Sequence, residues 1–265
     1  MKLIESKVEV IEQQPGLEGV YKQIELAGRT CYKSEDKITE DSAKEFVDRM
    51  IKSKHGAMLE HGTVYLKLQN PTHYLFYSQN KYTKTNFVEG RYYITTNLRV
   101  LVENNWLDDL KYICEPTEHH EKRITARFTC DMGVGRELTR HRTLSFAQES
   151  TRYCNYGKSK FGAELTFIRP EWYKKTLENT HAGFERFLEE AQEIYIALLD
   201  QGYAAQEARQ VLPLALKTEI VVTGFESDWK HFFSLRSPKY GAQGVHPDMA
   251  KLADELYEKL NSVNK

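Results

Sequence analysis

Arginine, histidine and serine crowd into one stretch of the chain, with Arg136, Arg140-His141-Arg142, Ser145, Ser150 and Arg152 inside residues 136–152. Between residues 133 and 160, six Lys or Arg (Arg136, Arg140, Arg142, Arg152, Lys158, Lys160) face two acids (Glu137, Glu149). The local balance is +4 in a chain whose formal net charge is −1. The planar fork of arginine makes paired hydrogen bonds to phosphate oxygens or to a planar imide, and serine hydroxyls add neutral donors. The chemistry on offer is the binding of a small anion. A solvated, salt-bridged helix face is the plainer account of a charged run. Three consecutive basic residues cannot share one helical face, however, and the serines that follow break the helical period. The segment reads as a helix end leading into a loop around a ligand.

Other chemistries fit less well. Ser150 has no G-x-S-x-G elbow and no Asp–His partner at a recognisable spacing, which favours ligand binding over nucleophilic attack. Gly133-Val-Gly135 begins a dinucleotide fingerprint that fails at Glu137-Leu138. Neither His119-His120 nor the His55/His61 spacing has the i,i+4 helical arrangement with a nearby acid that a metal site requires, so no metal is expected. The four cysteines are scattered without a C-x-x-C pair, which argues against a disulfide framework.

The elements that must hold these residues follow from periodicity. Residues 2–12 alternate as a strand before Pro15-Gly16, and helices are predicted over about 17–29 and 40–53. Val64, Leu66 and Leu68 share one face of a strand that stops at Asn70-Pro71. The aromatic-rich stretch 72–118 predicts a strand and one or two short helices. Residues 122–130 alternate, with Ile124, Ala126, Phe128 and Cys130 facing one way, and 132–142 reads as a helix. Leu165–Ile168 forms a short strand before Pro170. One long helix is predicted over 171–200 with Phe184, Phe187, Leu188, Ala191, Ile194, Tyr195 and Leu198 as its apolar stripe. A short helix near 203–211, a strand at 215–224 and helices at 227–236 and 247–261 complete the chain. Strands mixed irregularly with helices indicate an α+β fold.

Composition sets the outer limits. The 265 residues are 40% hydrophobic and 28% charged, the balance of a folded globular chain. Near-neutral charge argues against a nucleic-acid polymer as partner. The longest apolar run, Ile194 to Leu199, is far too short to span a membrane, and MKLIESKVEVIE has no signal-peptide core. A soluble, cytoplasmic protein is expected.

Arg140-His141-Arg142, seven intervening residues and Ser150 resemble the RHR-x7-S signature of flavin-dependent thymidylate synthases. Ser145, Arg152 and Tyr153 agree with the same pattern. So, in order, do His55 and Glu60-His61, Ala208-Arg209-Gln-Val-Leu-Pro213-Leu and His231-Phe-Phe-Ser-Leu-Arg236. The resemblance covers roughly residues 17–70 and 120–246. It implies a single α+β domain over 1–265 with a mostly antiparallel sheet flanked by helices. It further implies a homotetramer with active sites between subunits and the reductive methylation of dUMP to dTMP. FAD is the implied cofactor, methylenetetrahydrofolate the carbon donor and NADPH the reductant. Arg236 then stands beside the uracil as the catalytic arginine, stabilising charge at N3/O4 so that C5 becomes nucleophilic. Glu137, Arg140, Gln148, Glu149, Ser150, Arg152 and Arg209 fall among the dUMP ligands. His55, Ala57, Glu60, Arg140, His141, Arg142, Gln148 and His231 fall among the FAD contacts.

Four positions depart from the pattern. Glu137 stands where a nucleotide-binding Gln is common, Gln148 replaces a Glu, and Ser227 replaces a basic residue near the flavin. Ala57 occupies a position that carries a hydroxyl in some relatives. The stretch 71–118 is an enlargement expected to pack over the sheet or to rim the folate and nicotinamide entrance. The alternative function is a non-catalytic nucleotide-binding relative that has lost flavin chemistry. A single-strand nucleic-acid module using the aromatics of 74–93 is opposed by the near-neutral charge.

Overall fold

The computed structural model describes residues 1–69, 71–157 and 164–262. Its elements run β1 (Lys2–Ile4), β2 (Lys7–Ile11), α1 (Gly16–Tyr32), α2 (Ser42–Lys52), α3 (Gly56–Leu59), β3 (Thr63–Leu68), α4 (Pro71–Ser78), β4 (Lys84–Val88) and β5 (Arg91–Asn97). They continue through α5 (Leu98–Glu103), β6 (Arg123–Asp131), α6 (Met132–Leu138), β7 (Ser145–Gln148), β8 (Thr166–Ile168), α7 (Glu178–Asp200), α8 (Ala205–Ala208), β9 (Lys217–Phe225), α9 (Glu226–Arg236) and α10 (Pro247–Ser262). The fold is α+β, and its sheets are antiparallel apart from one short pair.

A four-stranded antiparallel sheet in the order β2-β6-β9-β7 forms the centre. Its long pair, β6 with β9, runs in register from Arg123↔Phe225 to Asp131↔Lys217. The apolar side of β6 predicted by alternation carries Ala126, Phe128 and Cys130, all fully buried. They pack with Trp229 and Phe232 of α9 and with Met249, Leu252 and Leu256 of α10. Burying side chains of this size contributes roughly 1.5–3 kcal/mol each, so α9 is fixed along most of its length and its last residue, Arg236, is held in place.

A second sheet, β3-β5-β4, packs against α1 and α2 through Val20, Ile24, Phe46, Val47, Val64, Leu66 and Ile94. Gly28 lets these helices close up, because a Cβ there would lie 2.3 Å from the Phe46 ring. The enlargement at 71–118 therefore supplies two of the three strands of this sheet.

Several expectations need correction. The strand expected over 2–12 is broken at Glu5-Ser6: β1 pairs in parallel with β8, whereas β2 joins the central sheet. The helix expected over 171–200 is interrupted at Thr176-Leu177, where both residues are extended, and a 3-10 turn over Glu171–Lys175 precedes α7. Along α7 only part of the predicted stripe is covered. Leu188, Ala191 and Tyr195 are buried, while Phe187 and Ile194 are exposed. The helix expected over 132–142 ends at Leu138, and the loop expected after it contains β7, paired from Ser145↔Thr223 to Gln148↔Ile220. Ser145 and Ala147 of β7 are buried, but a four-residue strand made of Ser, Phe, Ala and Gln has little apolar alternation to announce it.

Candidate active site

The basic segment starts from a firm anchor. The Asp131 side chain accepts the Val134 N–H at 2.8 Å, capping α6, and Val134 and Leu138 bury the helix against the core. After Leu138 the chain descends through tight turns, with Arg140 N–H bonded to Glu137 O and His141 N–H to Leu138 O. The basic run is thereby distributed: Arg140 and Arg142 are exposed while His141, between them, is buried. No carboxylate among the described residues lies within ion-pair distance of Arg136, Arg140, Arg142 or Arg152. Lys158 and Lys160 lie outside the described residues.

Arg236 meets this turn from the end of α9. Its Nε donates to His141 Nε2 at 3.1 Å, and its Nη1 lies 2.5 Å from Glu137 Oε2. The Phe232 ring meets His141 edge-on at 5.0 Å. Burial, then the charges of Arg236 and His231, push the His141 imidazolium down to a pKa of about 4. At neutral pH His141 is therefore an uncharged acceptor at Nε2. The guanidinium is held from two directions, by a neutral ring and by a carboxylate. His231, one residue before Phe232, is exposed.

A second group sits at the other end of β7, which as a four-residue strand spans roughly 13 Å. Ser150 N–H donates to Cys31 O at 2.9 Å, satisfying one of the carbonyls that the end of α1 leaves without a helical partner. Arg209 donates to Thr151 Oγ1 at 3.0 Å, and the Arg152 guanidinium lies 5.2 Å from the Tyr153 ring centroid. Both residues are exposed, Arg152 on the turn itself and Arg209 reaching it from a 3-10 turn over Arg209–Val211.

Glu149 behaves differently from the other expected ligands of this group. It is buried, and its carboxylate accepts the Tyr156 hydroxyl at 2.8 Å, Lys217 Nζ at 2.8 Å and the Glu219 N–H at 3.2 Å. Lys33 Nζ binds Glu219 at 2.8 Å in the same network. Burial works against the Glu219 charge, but Lys217 and Lys33 outweigh it and hold this carboxyl down to about 2. Gln148 Nε2 donates to Thr218 Oγ1 at 3.2 Å. Both side chains brace the sheet from within this chain.

The third group is built on α3. His55 precedes the helix, and His55 and Ala57 are exposed. Glu60 pairs with Arg99 at 2.5 Å, and its carbonyl accepts Arg123 Nη1 at 2.9 Å. Arg99 belongs to α5, in the enlargement, and lies so close over Gly56 that a Cβ there would be 2.9 Å from its Nε. Its position on a segment outside the family pattern hides it from sequence reasoning. Met58 packs on Ala27, Ala147 and Val221, which sets α3 beside β7. His61 is fully buried, with Nδ1 2.9 Å from Thr223 Oγ1, and desolvation first, then Arg123, push its pKa down to about 3. Ser227 hydrogen-bonds Glu121.

The expected site residues thus form three groups: Glu137/His141/Arg236, Ser150/Arg152/Arg209 and His55/Ala57/Glu60. No hydrogen bond links one group to another among the described residues. A separate cavity of about 770 Å3, lined by Tyr65, His120, Arg123, Trp229 and Tyr257 among others, contains none of them.

A family model described as "Thymidylate synthase complementing protein" matches residues 111–263. A flavin-dependent thymidylate synthase of Pyrococcus furiosus is 35% identical over 130 residues, 49% of this chain and 52% of that protein. One from Corynebacterium glutamicum is 24% identical over 260 residues, covering 94% of this chain and 79% of that one. The chain spans about half the length of the Pyrococcus relatives it matches. Among solved structures, the UMP/dUMP methylase PolB from Streptomyces cacaoi, bound with 5-Br dUMP, aligns with a TM-score of 0.48 and 21% identity. That alignment covers 99% of this chain and 93% of the other. The matched segment contains α6, the RHR turn, the Ser150 turn, Arg209 and Arg236, and by that match the chain belongs to the thymidylate synthase complementing family.

Proposed function

We propose that the protein is a flavin-dependent thymidylate synthase that converts dUMP to dTMP. One observation carries the reading: within the family-matched segment, Arg236 is held by His141 of the RHR turn and by Glu137, and its side chain remains partly exposed. In this reading Arg236 stabilises negative charge on the uracil carbonyl edge, and electron density moves toward C5. Arg152 and Arg209 bind the nucleotide phosphate, because one exposed guanidinium on the Ser150 turn and another bonded to that turn give several charge-assisted donors. Ser150 adds a hydroxyl beside them.

The residues present fit a flavin dinucleotide. Arg140 and Arg142 are exposed cations with no carboxylate partner among the described residues, suited to a diphosphate, and His55 and His231 are exposed ring donors. Bound FAD, reduced by NADPH, supplies the hydride that completes the methyl group, with methylenetetrahydrofolate as carbon donor. The lack of any hydrogen bond joining the three groups among the described residues supports assembly of each site from several subunits of a homotetramer. We take the chain to act as one synthase domain, with the 71–118 segment contributing Arg99 beside the flavin residues His55, Ala57 and Glu60. No helix among the described residues is long and apolar enough to cross a membrane, and a cytoplasmic setting suits the small phosphorylated substrates.

Purified protein is expected to take up FAD, turn yellow and oxidise NADPH at a rate that responds to dUMP. Protein that binds dUMP but never FAD supports instead the nucleotide-binding relative without flavin chemistry. Gln148, turned onto Thr218, is the observation that favours that second reading.

A further inference from the structure

We propose that Glu137 and Arg236 act as one unit that reads the imide edge of the base, Glu137 accepting the N3–H while Arg236 donates to O4. The inference rests on the reading of this site as a dUMP site, and goes beyond it by assigning base discrimination to a residue that departs from the family pattern. Arg236 is not free to turn. Its Nε is bound to the neutral His141 Nε2 at 3.1 Å and its Nη1 lies 2.5 Å from Glu137 Oε2. The Glu137 carboxylate and the Arg236 guanidinium are therefore in direct contact, so a base bound by one lies beside the other.

Among the described residues, Nη2 of Arg236 and Oε1 of Glu137 have no hydrogen-bond partner, and the two side chains are 23% and 34% exposed, within reach of a ligand. They present a donor and an acceptor side by side. Uracil offers the complement, with N3–H as donor next to O4 as acceptor. Cytosine reverses both, placing an unprotonated N3 against the carboxylate and an amino group against the guanidinium. A carboxylate facing a lone pair and a cation facing N–H groups are each repulsive, so the pair selects uracil by rejection as well as by attraction. A phosphate at this position would be repelled by the carboxylate, which places the base here and leaves the phosphate to Arg152 and Arg209.

The test measures dUMP and dCMP binding by calorimetry to FAD-loaded wild type, Glu137→Gln and Glu137→Ala. Wild type is expected to prefer dUMP strongly. Glu137→Ala should lose at least about tenfold in dUMP affinity, because hydrogen bonds to charged groups contribute more than neutral ones, and the dUMP:dCMP ratio should narrow in both variants. In Glu137→Gln the amide can flip to satisfy either base, so the loss of discrimination should exceed any change in thermal stability. An unchanged ratio in both variants overturns the proposal. Tighter dUMP binding by Glu137→Gln also overturns it, since Glu137 would then be a competitor for Arg236. A wild type that binds FAD but not dUMP refutes the dUMP reading itself, an outcome distinct from either of these.

Discussion

At the scale of single residues, the site depends on side chains whose charge state the fold has fixed. His141 and His61 are held to pKa values of about 4 and 3, against 6.5 for an unburied imidazole. Between pH 6.5 and 4 the unfolded chain binds protons at both positions while the folded chain does not. Their contribution to stability is therefore complete above about pH 6.5 and is lost as the pH falls toward 4 for His141 and toward 3 for His61. The slope reaches roughly 1.4 kcal/mol per pH unit for each histidine. Urea unfolding at several pH values should show this acid sensitivity, and the His61→Gln/His141→Gln double variant should show a shallower slope. Arg236→Ala should retain FAD yet lose about 100- to 1000-fold in turnover of dUMP, the effect of removing one preorganised donor from developing charge. Near wild-type turnover in that variant would overturn the role assigned to Arg236. Arg236, His141 and Glu137 are singled out by order and spacing in the sequence, but their mutual contact is not. It requires α9 to return across the sheet to α6, a packing relation between residues almost a hundred positions apart.

At the scale of elements, the turn that carries Arg140 to Arg142 is seated on β9 by a close approach. A Cβ at Gly224 would lie 2.1 Å from Leu144 Cδ2, and Leu144 is buried. Gly224→Ala should therefore cost about 1–3 kcal/mol through overpacking and weaken FAD binding by shifting the RHR turn, measurable as a lower melting temperature and a higher Kd for FAD. Glu149 anchors the opposite end of β7. Its side chain is only 1% exposed and pairs with Lys217, which also reaches Glu219, so Glu149→Gln should cost about 1.5–3 kcal/mol by replacing charge-assisted hydrogen bonds with neutral ones while Glu219 still pairs with the lysine. The long helices and β3, β6 and β9 are legible from hydrophobic period because each has one face against a core. β7 is not, since pairing to β9 rather than side-chain alternation defines it, and the break between the 3-10 turn at Glu171–Lys175 and α7 is likewise set by backbone geometry at Thr176-Leu177. Arg152 follows the buried Glu149 by only three residues in sequence, and only the folded chain distinguishes the exposed side chain from the bracing one.

At the scale of the whole molecule, the charge arithmetic and the geometry converge. A chain of net charge −1 keeps a set of exposed arginines without carboxylate partners among the described residues, at the two ends of one short strand. No hydrogen bond joins the three groups of site residues among the described residues, and on the proposed reading symmetric neighbours complete each other's sites. Mixing Arg236→Ala with Arg209→Ala under conditions that exchange subunits should then restore part of the activity that neither variant has alone. No recovery would mean that each chain carries a whole site. The central claim is the methylation itself, and its most direct test is product analysis. Protein supplied with FAD, NADPH, methylenetetrahydrofolate and dUMP should form dTMP, and omission of FAD or of NADPH should abolish the product. Protein that is loaded with FAD and binds dUMP but forms no dTMP under these conditions would contradict the account.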